Sequence, residues 1–170
     1  MTPRGYAALR TELRRLKATR PEMAHAIEVA RAHGDLSENA DYDAAKEKSG
    51  MVEARIRDLE VRLSNAELID PSTMAAPTRV TFGVTARIEE MESGEQRLLS
   101  IVGSEESDVT KGWISYESPI AKGLMGKEVS DVARIALPNG VKDYEIVEVF
   151  IDYNWKPEAA DAAEDPEAAA

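Results

Sequence analysis

Five carboxylates fall within the fifteen residues from Gly34 to Lys48: Asp35, Glu38, Asp41, Asp43 and Glu47, answered only by Lys46 and Lys48. Asp35 and Glu38 stand three positions apart, so a helical or turn backbone aims both side chains the same way. Carboxylate oxygens suit hard cations such as Mg2+, which is commonly held by one or two carboxylates together with water and another molecule's phosphates. A pair of metal ions about 3.5–4 Å apart can activate water for attack on a phosphodiester. Two carboxylates on an exposed tip hold Mg2+ only weakly by themselves, so they read as half of a site whose other ligands belong to a partner. The plainer alternative is a solvated acidic loop, the ordinary fate of a charge run.

The elements flanking this segment must hold it out. Thr2-Pro3 is a helix start, with Thr as N-cap and Pro at the first helical position. Behind it runs a heptad-like seam: Tyr6, Leu13, Arg20 and Ile27 in one set, Leu9, Leu16, Met23 and Ala30 in the other. Alternating spacings of three and four give one narrow apolar stripe, the signature of a coiled coil. Arg20 interrupts the stripe and Pro21 follows it, so a short irregularity is expected there. His33-Gly34 reads as the helix end, and Ser37 and Asn39 suit a turn or a new N-cap. A second helix is predicted over about 39–66, with seam residues Tyr42, Ser49, Ile56 and Leu63 and Ala45, Val52, Leu59 and Ala66. Two seams of equal length joined by a short turn pack antiparallel. The product is a rod about 45 Å long at about 1.5 Å per residue. It is two helices thick and bears an acidic tip. A rod of this kind reaches; it does not enclose a pocket.

Composition narrows the function. The chain has 170 residues, no cysteine and a net charge of −11. Disulfides, thiolate metal sites and cysteine nucleophiles are thereby excluded, and a reducing compartment is the natural setting. No apolar run approaches a membrane span and no apolar signal core follows the N-terminus, so a soluble cytoplasmic protein is expected. The acidity argues against sequence-independent binding to duplex DNA. The charge is uneven, however: residues 2–33 carry seven bases against three acids. Arg10, Arg14, Arg15 and Lys17 lie off the seam at near-helical spacing, either as a short stripe touching a phosphate backbone or as ordinary exposed helix charges. The two histidines, His25 and His33, both fall on the hairpin, and a histidine-based metal site is not expected. No P-loop, GxGxxG, HExxH or Gly-x-Ser-x-Gly is present, which removes the enzyme classes that announce themselves by motif.

Asp70-Pro71 to Pro77 reads as a linker. Beyond it, strands are predicted over Val80–Ile88, Arg97–Val102, Val132–Leu137 and Tyr144–Ile151, with a short helix over Ile120–Leu124 started by Ser118-Pro119. Four or five antiparallel strands and one helix make a small α+β domain. Trp113 reads as core or loop packing. From Asn154 the chain is Ala/Glu/Asp/Pro-rich and is expected to be disordered.

These runs resemble the bacterial Gre transcript-cleavage factors. The matching residues are Thr2, Gly5, Leu9, Glu12-Leu13, Arg20-Pro21, the stretch Ala30 to Glu47, Val80-x-Phe82-Gly83, Ile101-Val102-Gly103 and Ser118 to Lys127. The resemblance covers about residues 2–151 and does not rest on one short motif. It implies an α+β protein: an N-terminal long antiparallel coiled-coil hairpin over 1–70, a linker at 71–79, a C-terminal FKBP-like antiparallel sheet domain with one short helix over 80–153, and the acidic tail 154–170. It also implies a factor that is not itself an enzyme. The hairpin would enter the secondary channel of RNA polymerase, with the sheet domain on the channel rim. Asp35 and Glu38 would help hold an Mg2+ ion that is completed in the polymerase active site and not bound tightly by the isolated protein. The polymerase would then hydrolyse the 3′ end of backtracked RNA. Asn39, Asp41, Tyr42 and Lys46 belong to the same matching run and are expected to support the tip, with Arg10, Arg14, Arg15 and Lys17 near the nascent RNA. The intact Asp-Leu-x-Glu-Asn favours a cleaving factor over a non-cleaving channel-binding regulator. The acidic total and modest stripe resemble the GreA type more than the GreB type. A monomer is expected when free, with no membrane partner.

Overall fold

The computed structural model describes residues 1–32, 40–138 and 140–156. By its contacts the chain forms two units: Tyr6–Ala66, and Met1–Gly5 together with everything from Glu67 onward. No helix among the described residues is long and apolar enough to cross a membrane.

The first unit is a helical hairpin. Its helices are α1 (Pro3–Ala18), α2 (Arg20–Ala32) and α3 (Ala40–Ser64). Every predicted seam residue except Arg20 is buried or half-buried, with Leu9, Ala30, Ile56 and Leu59 the most enclosed. The apolar stripe therefore does the work its spacing implies. The interruption sits at Thr19, one residue ahead of the predicted Arg20-Pro21. The Thr19 amide and hydroxyl both donate to the Leu16 carbonyl, at 3.1 and 2.7 Å, closing α1 with a tight turn. Pro21 has no N–H to give back to the preceding turn, so the ladder restarts with Met23, whose amide donates to the Thr19 carbonyl at 3.0 Å. Residues 33–39, which include the predicted helix end at Gly34 and the turn residues Ser37 and Asn39, lie outside the described residues.

The second unit is built on a five-stranded sheet, β1 (Thr85–Glu90), β2 (Gln96–Val102), β3 (Trp113–Ser115), β4 (Val132–Leu137) and β5 (Gly140–Phe150), in the order β3-β2-β1-β5-β4. Three of the four pairings are antiparallel, as expected. The fourth differs: β3 lies parallel to β2. Two 3-10 turns, Ser104–Glu106 and Val109–Lys111, carry the chain back to the level of Ser100, opposite which β3 begins. The strand predicted from Val80 starts later, at Thr85, because Gly83 adopts φ +82 with Pro71 packed against it, a conformation that ends an extended run. The helix α4 (Pro119–Leu124) is capped by Ser118, whose hydroxyl accepts from the Ala121 amide at 3.2 Å. Ala121 and Leu124 pack with Ile88, Ile101, Ile135 and Ile146 in the core.

Met1–Gly5 is held in this second unit. Thr2 is fully buried and caps α1, its hydroxyl accepting from the Gly5 amide at 3.3 Å. The Glu106 carboxylate accepts from the Thr2 amide at 3.0 Å and from the Thr2 hydroxyl. The Arg4 guanidinium lies 3.6 Å above the Trp113 ring and 3.6 Å from Glu106. A buried carboxylate needs such partners in place of the water it has lost.

Candidate functional site

The acidic segment is anchored at its far end by the first turn of α3. Asp41 and Asp43 occupy that turn, where negative charge complements the positive end of the helix dipole. Tyr42 is half-buried on the seam, while Asp41 and Lys46 are exposed. The alternation follows from the heptad: Tyr42 is a seam position and its neighbours are not. Asp35, Glu38 and Asn39 lie outside the described residues. Among the described residues no group of three metal-binding side chains comes together.

The basic stripe on α1 has its own local contacts. Arg10 stands 6.0 Å from the Tyr6 ring, Arg14 donates to the Thr11 hydroxyl at 3.3 Å, and Lys17 forms an ion pair with Glu60 of α3 at 2.7 Å. Arg15 is exposed. Lys17 is thus tied across the hairpin.

Two arginine–glutamate pairs also cross the hairpin. The Arg20 guanidinium donates two hydrogen bonds to Glu53, at 2.7 and 2.8 Å, in the fork geometry that matches a carboxylate. This contact raises the Arg20 pKa and lowers that of Glu53. Arg55 similarly donates to both oxygens of Glu12, at 3.0 and 3.2 Å. Arg20 itself was visible in the sequence as the flaw in the seam. Its partner was not, because Glu53 is one acid among many on α3.

The sequence compares directly with known proteins. Residues 1–68 match the family described as "Transcription elongation factor, N-terminal", and residues 75–150 match "Transcription elongation factor, GreA/GreB, C-term". The chain belongs to the GreA/GreB transcription elongation factor family. A transcription elongation factor GreA of Psychrobacter sp. (strain PRwf-1) is 52% identical over 151 residues, 88% of this chain and 96% of that protein. A transcription elongation factor GreA of Neisseria meningitidis serogroup B is 47% identical over 150 residues, 88% of this chain and 95% of that protein. GreA factor homolog 1 of Thermus thermophilus, a solved structure, is 28% identical over 88% of this chain and 96% of its own, with a TM-score of 0.40. The two family matches divide close to where the contacts do, and both stop short of the acidic tail. The α+β class, with a helical hairpin and a sheet domain bearing one short helix, agrees with membership.

Proposed function

We propose that this member of the family inserts its hairpin into the secondary channel of RNA polymerase and stimulates the polymerase's own Mg-dependent hydrolysis of backtracked RNA 3′ ends, which rescues arrested complexes. One observation carries the reading. The intact run Gly34-Asp35-Leu36-Ser37-Glu38-Asn39 falls between α2 and α3, the two arms of a hairpin, in a chain of the elongation-factor family.

The donor chemistry fits a shared ion. Asp35 and Glu38 supply hard oxygen ligands of the kind Mg2+ accepts. Two carboxylates leave most positions of a six-coordinate ion to other ligands, which in this reading are the polymerase, the RNA phosphates and water. Bound there, Mg2+ supplies a Lewis acid and a water of lowered pKa. The chain's own part is to deliver two carboxylates and orient that water. Asp41, Tyr42 and Lys46 hold the first turns of α3, and Asn39 stands beside Glu38 in the same run. Arg10, Arg14, Arg15 and Lys17 lie along α1 as positive charge for the RNA backbone. A cytoplasmic factor that is monomeric when free fits this role.

The test is a cleavage assay on a stalled, backtracked elongation complex. Asp35→Ala and Glu38→Ala are expected to lower stimulated cleavage by about 10- to 100-fold with polymerase binding retained. Unchanged cleavage overturns the assignment and favours a regulator that only occupies the channel. RNA cleavage by the isolated protein with Mg2+ and no polymerase overturns the division of labour.

A further inference from the structure

The two arms of the hairpin are not equally well held. On one side of Thr19 the seam is built from Leu9, Leu13 and Leu16 against Ile56, Leu59 and Leu63. On the other it is built from Met23, Ile27 and Ala30 against Tyr42, Ala45, Ser49 and Val52. Of the buried seam residues, Leu9, Ile56 and Leu59 lie on the first side and only Ala30 on the second. Small and polar seam residues leave register and tilt weakly specified. The helical ladder does not compensate, because it is interrupted between Ala18 and Arg20 and Pro21 cannot donate. At this joint Arg20 takes a seam position and grips Glu53 with two hydrogen bonds of 2.7 and 2.8 Å.

We propose that Arg20 and Glu53 are positioning residues: their forked pair sets the tilt and phase of α2 against α3, and with it the place of the α2 end from which the chain continues into the run containing Asp35 and Glu38. The inference rests on the transcript-cleavage reading above. A lever argument gives its size. α2 has 13 residues, about 20 Å at 1.5 Å per residue. A tilt of about 3° at Arg20 then moves its far end by about 1 Å, and a misplacement of that order can cost up to about 100-fold in a reaction that depends on alignment. Charged pairs flanking the seam of a coiled coil help set how its helices are paired and oriented. Its contribution to stability is small by comparison, since both side chains are more than a third exposed, at 47% and 36%.

That contrast separates positioning from mere support. Arg20→Leu restores an apolar seam residue and removes the fork. In the full-length protein the helical thermal midpoint is expected to stay the same or rise. The factor concentration for half-maximal cleavage of a backtracked complex should stay within about twofold. The maximal cleavage rate at saturating factor should fall by about two- to fivefold, the most that an exposed pair can bias an arrangement. Arg20→Glu should show the same loss, and the exchanged pair Arg20→Glu with Glu53→Arg should recover at least half of what is lost. Wild-type maximal cleavage by Arg20→Leu, or no recovery in the exchanged pair, overturns the proposal. Asp35→Ala run in the same assay keeps the two ideas apart. If it cleaves normally, the transcript-cleavage reading fails. If it does not while Arg20→Leu does, only the positioning role fails.

Discussion

In the sheet unit Val80, Ile88, Ile101, Leu124 and Ile146 are each at most 1% exposed, enclosed by strands and α4. In the hairpin most seam residues keep a face to solvent, and Arg–carboxylate pairs bridge the arms. A closed core fixes its shape by packing density, where one missing methylene is felt. A two-helix rod has no interior of that kind, so its geometry is set by a narrow seam and a few directed polar contacts. The sheet unit therefore carries stability in the ordinary sense. The hairpin carries aim, and a change can spoil its aim while leaving it folded.

The comparison can be broken most directly by cavity formation. Ile146→Ala, at a fully buried site, should lower stability by about 3–4 kcal/mol. Both tryptophans, Trp113 and Trp155, belong to the sheet unit, so their fluorescence in urea reports on it. Leu13→Ala, at a half-buried seam site, should cost about 1 kcal/mol, read from helical circular dichroism. Equal losses would erase the distinction.

A backbone test comes next in size. Gly112 adopts φ +72 where the chain turns into β3, and a Cβ there would collide with the Leu98 carbonyl. Gly112→Ala should destabilise the sheet unit by about 2 kcal/mol in the same fluorescence assay and leave the helical signal in place. A parallel loss of helix would mean that the two units do not respond separately.

The smallest effect sharpens the hairpin side. The hydrogen bonds from Arg20 lower the Glu53 pKa, and those from Arg62 lower that of Asp58. A carboxylate bound less tightly by protons in the folded state adds stability that is complete above its unfolded pKa, about 4.3 for Glu and 3.9 for Asp. That stability drains as pH falls through the lowered folded values. The helical midpoint should therefore decline from pH 5 to pH 3, and less steeply at high salt, since the pairs are exposed. A midpoint that is flat or rises over that interval would remove the polar contacts from the account.

The hairpin was legible because its information is local. The 3-and-4 spacing named the residues that the structure encloses, and Arg20-Pro21 marked the joint to within one residue. β4 and α4 were legible for the same reason, through alternation and through Ser118-Pro119, and so was β5 from Tyr144 onward, although that strand begins four residues earlier, at Gly140, paired with Leu137 of β4. β3 was not, because Trp113–Ser115 is too short to show a period and its parallel partner is chosen by the path of the preceding turns. The late start of β1 depends on the backbone of Gly83, which composition does not reveal. Of the candidate site, the acidic run and its motif were readable directly. The Arg20–Glu53 fork was only half readable, since one partner was conspicuous and the other anonymous. Glu106 was not readable at all: nothing near it in sequence says that it closes on Thr2.

That last pairing has a consequence for synthesis. Thr2 and Glu106 are 104 positions apart. A ribosome makes Thr2 early, and the whole hairpin sequence follows before Glu106 emerges. Helices such as α1, α2 and α3 form on local contacts and need not wait. The first turn of α1 must wait, because the carboxylate that receives the Thr2 amide and hydroxyl arrives only with the far side of the sheet. The opening residues of this chain thus cannot take their places until Glu106 has been made, and a growing chain halted before Glu106 would keep its own beginning loose.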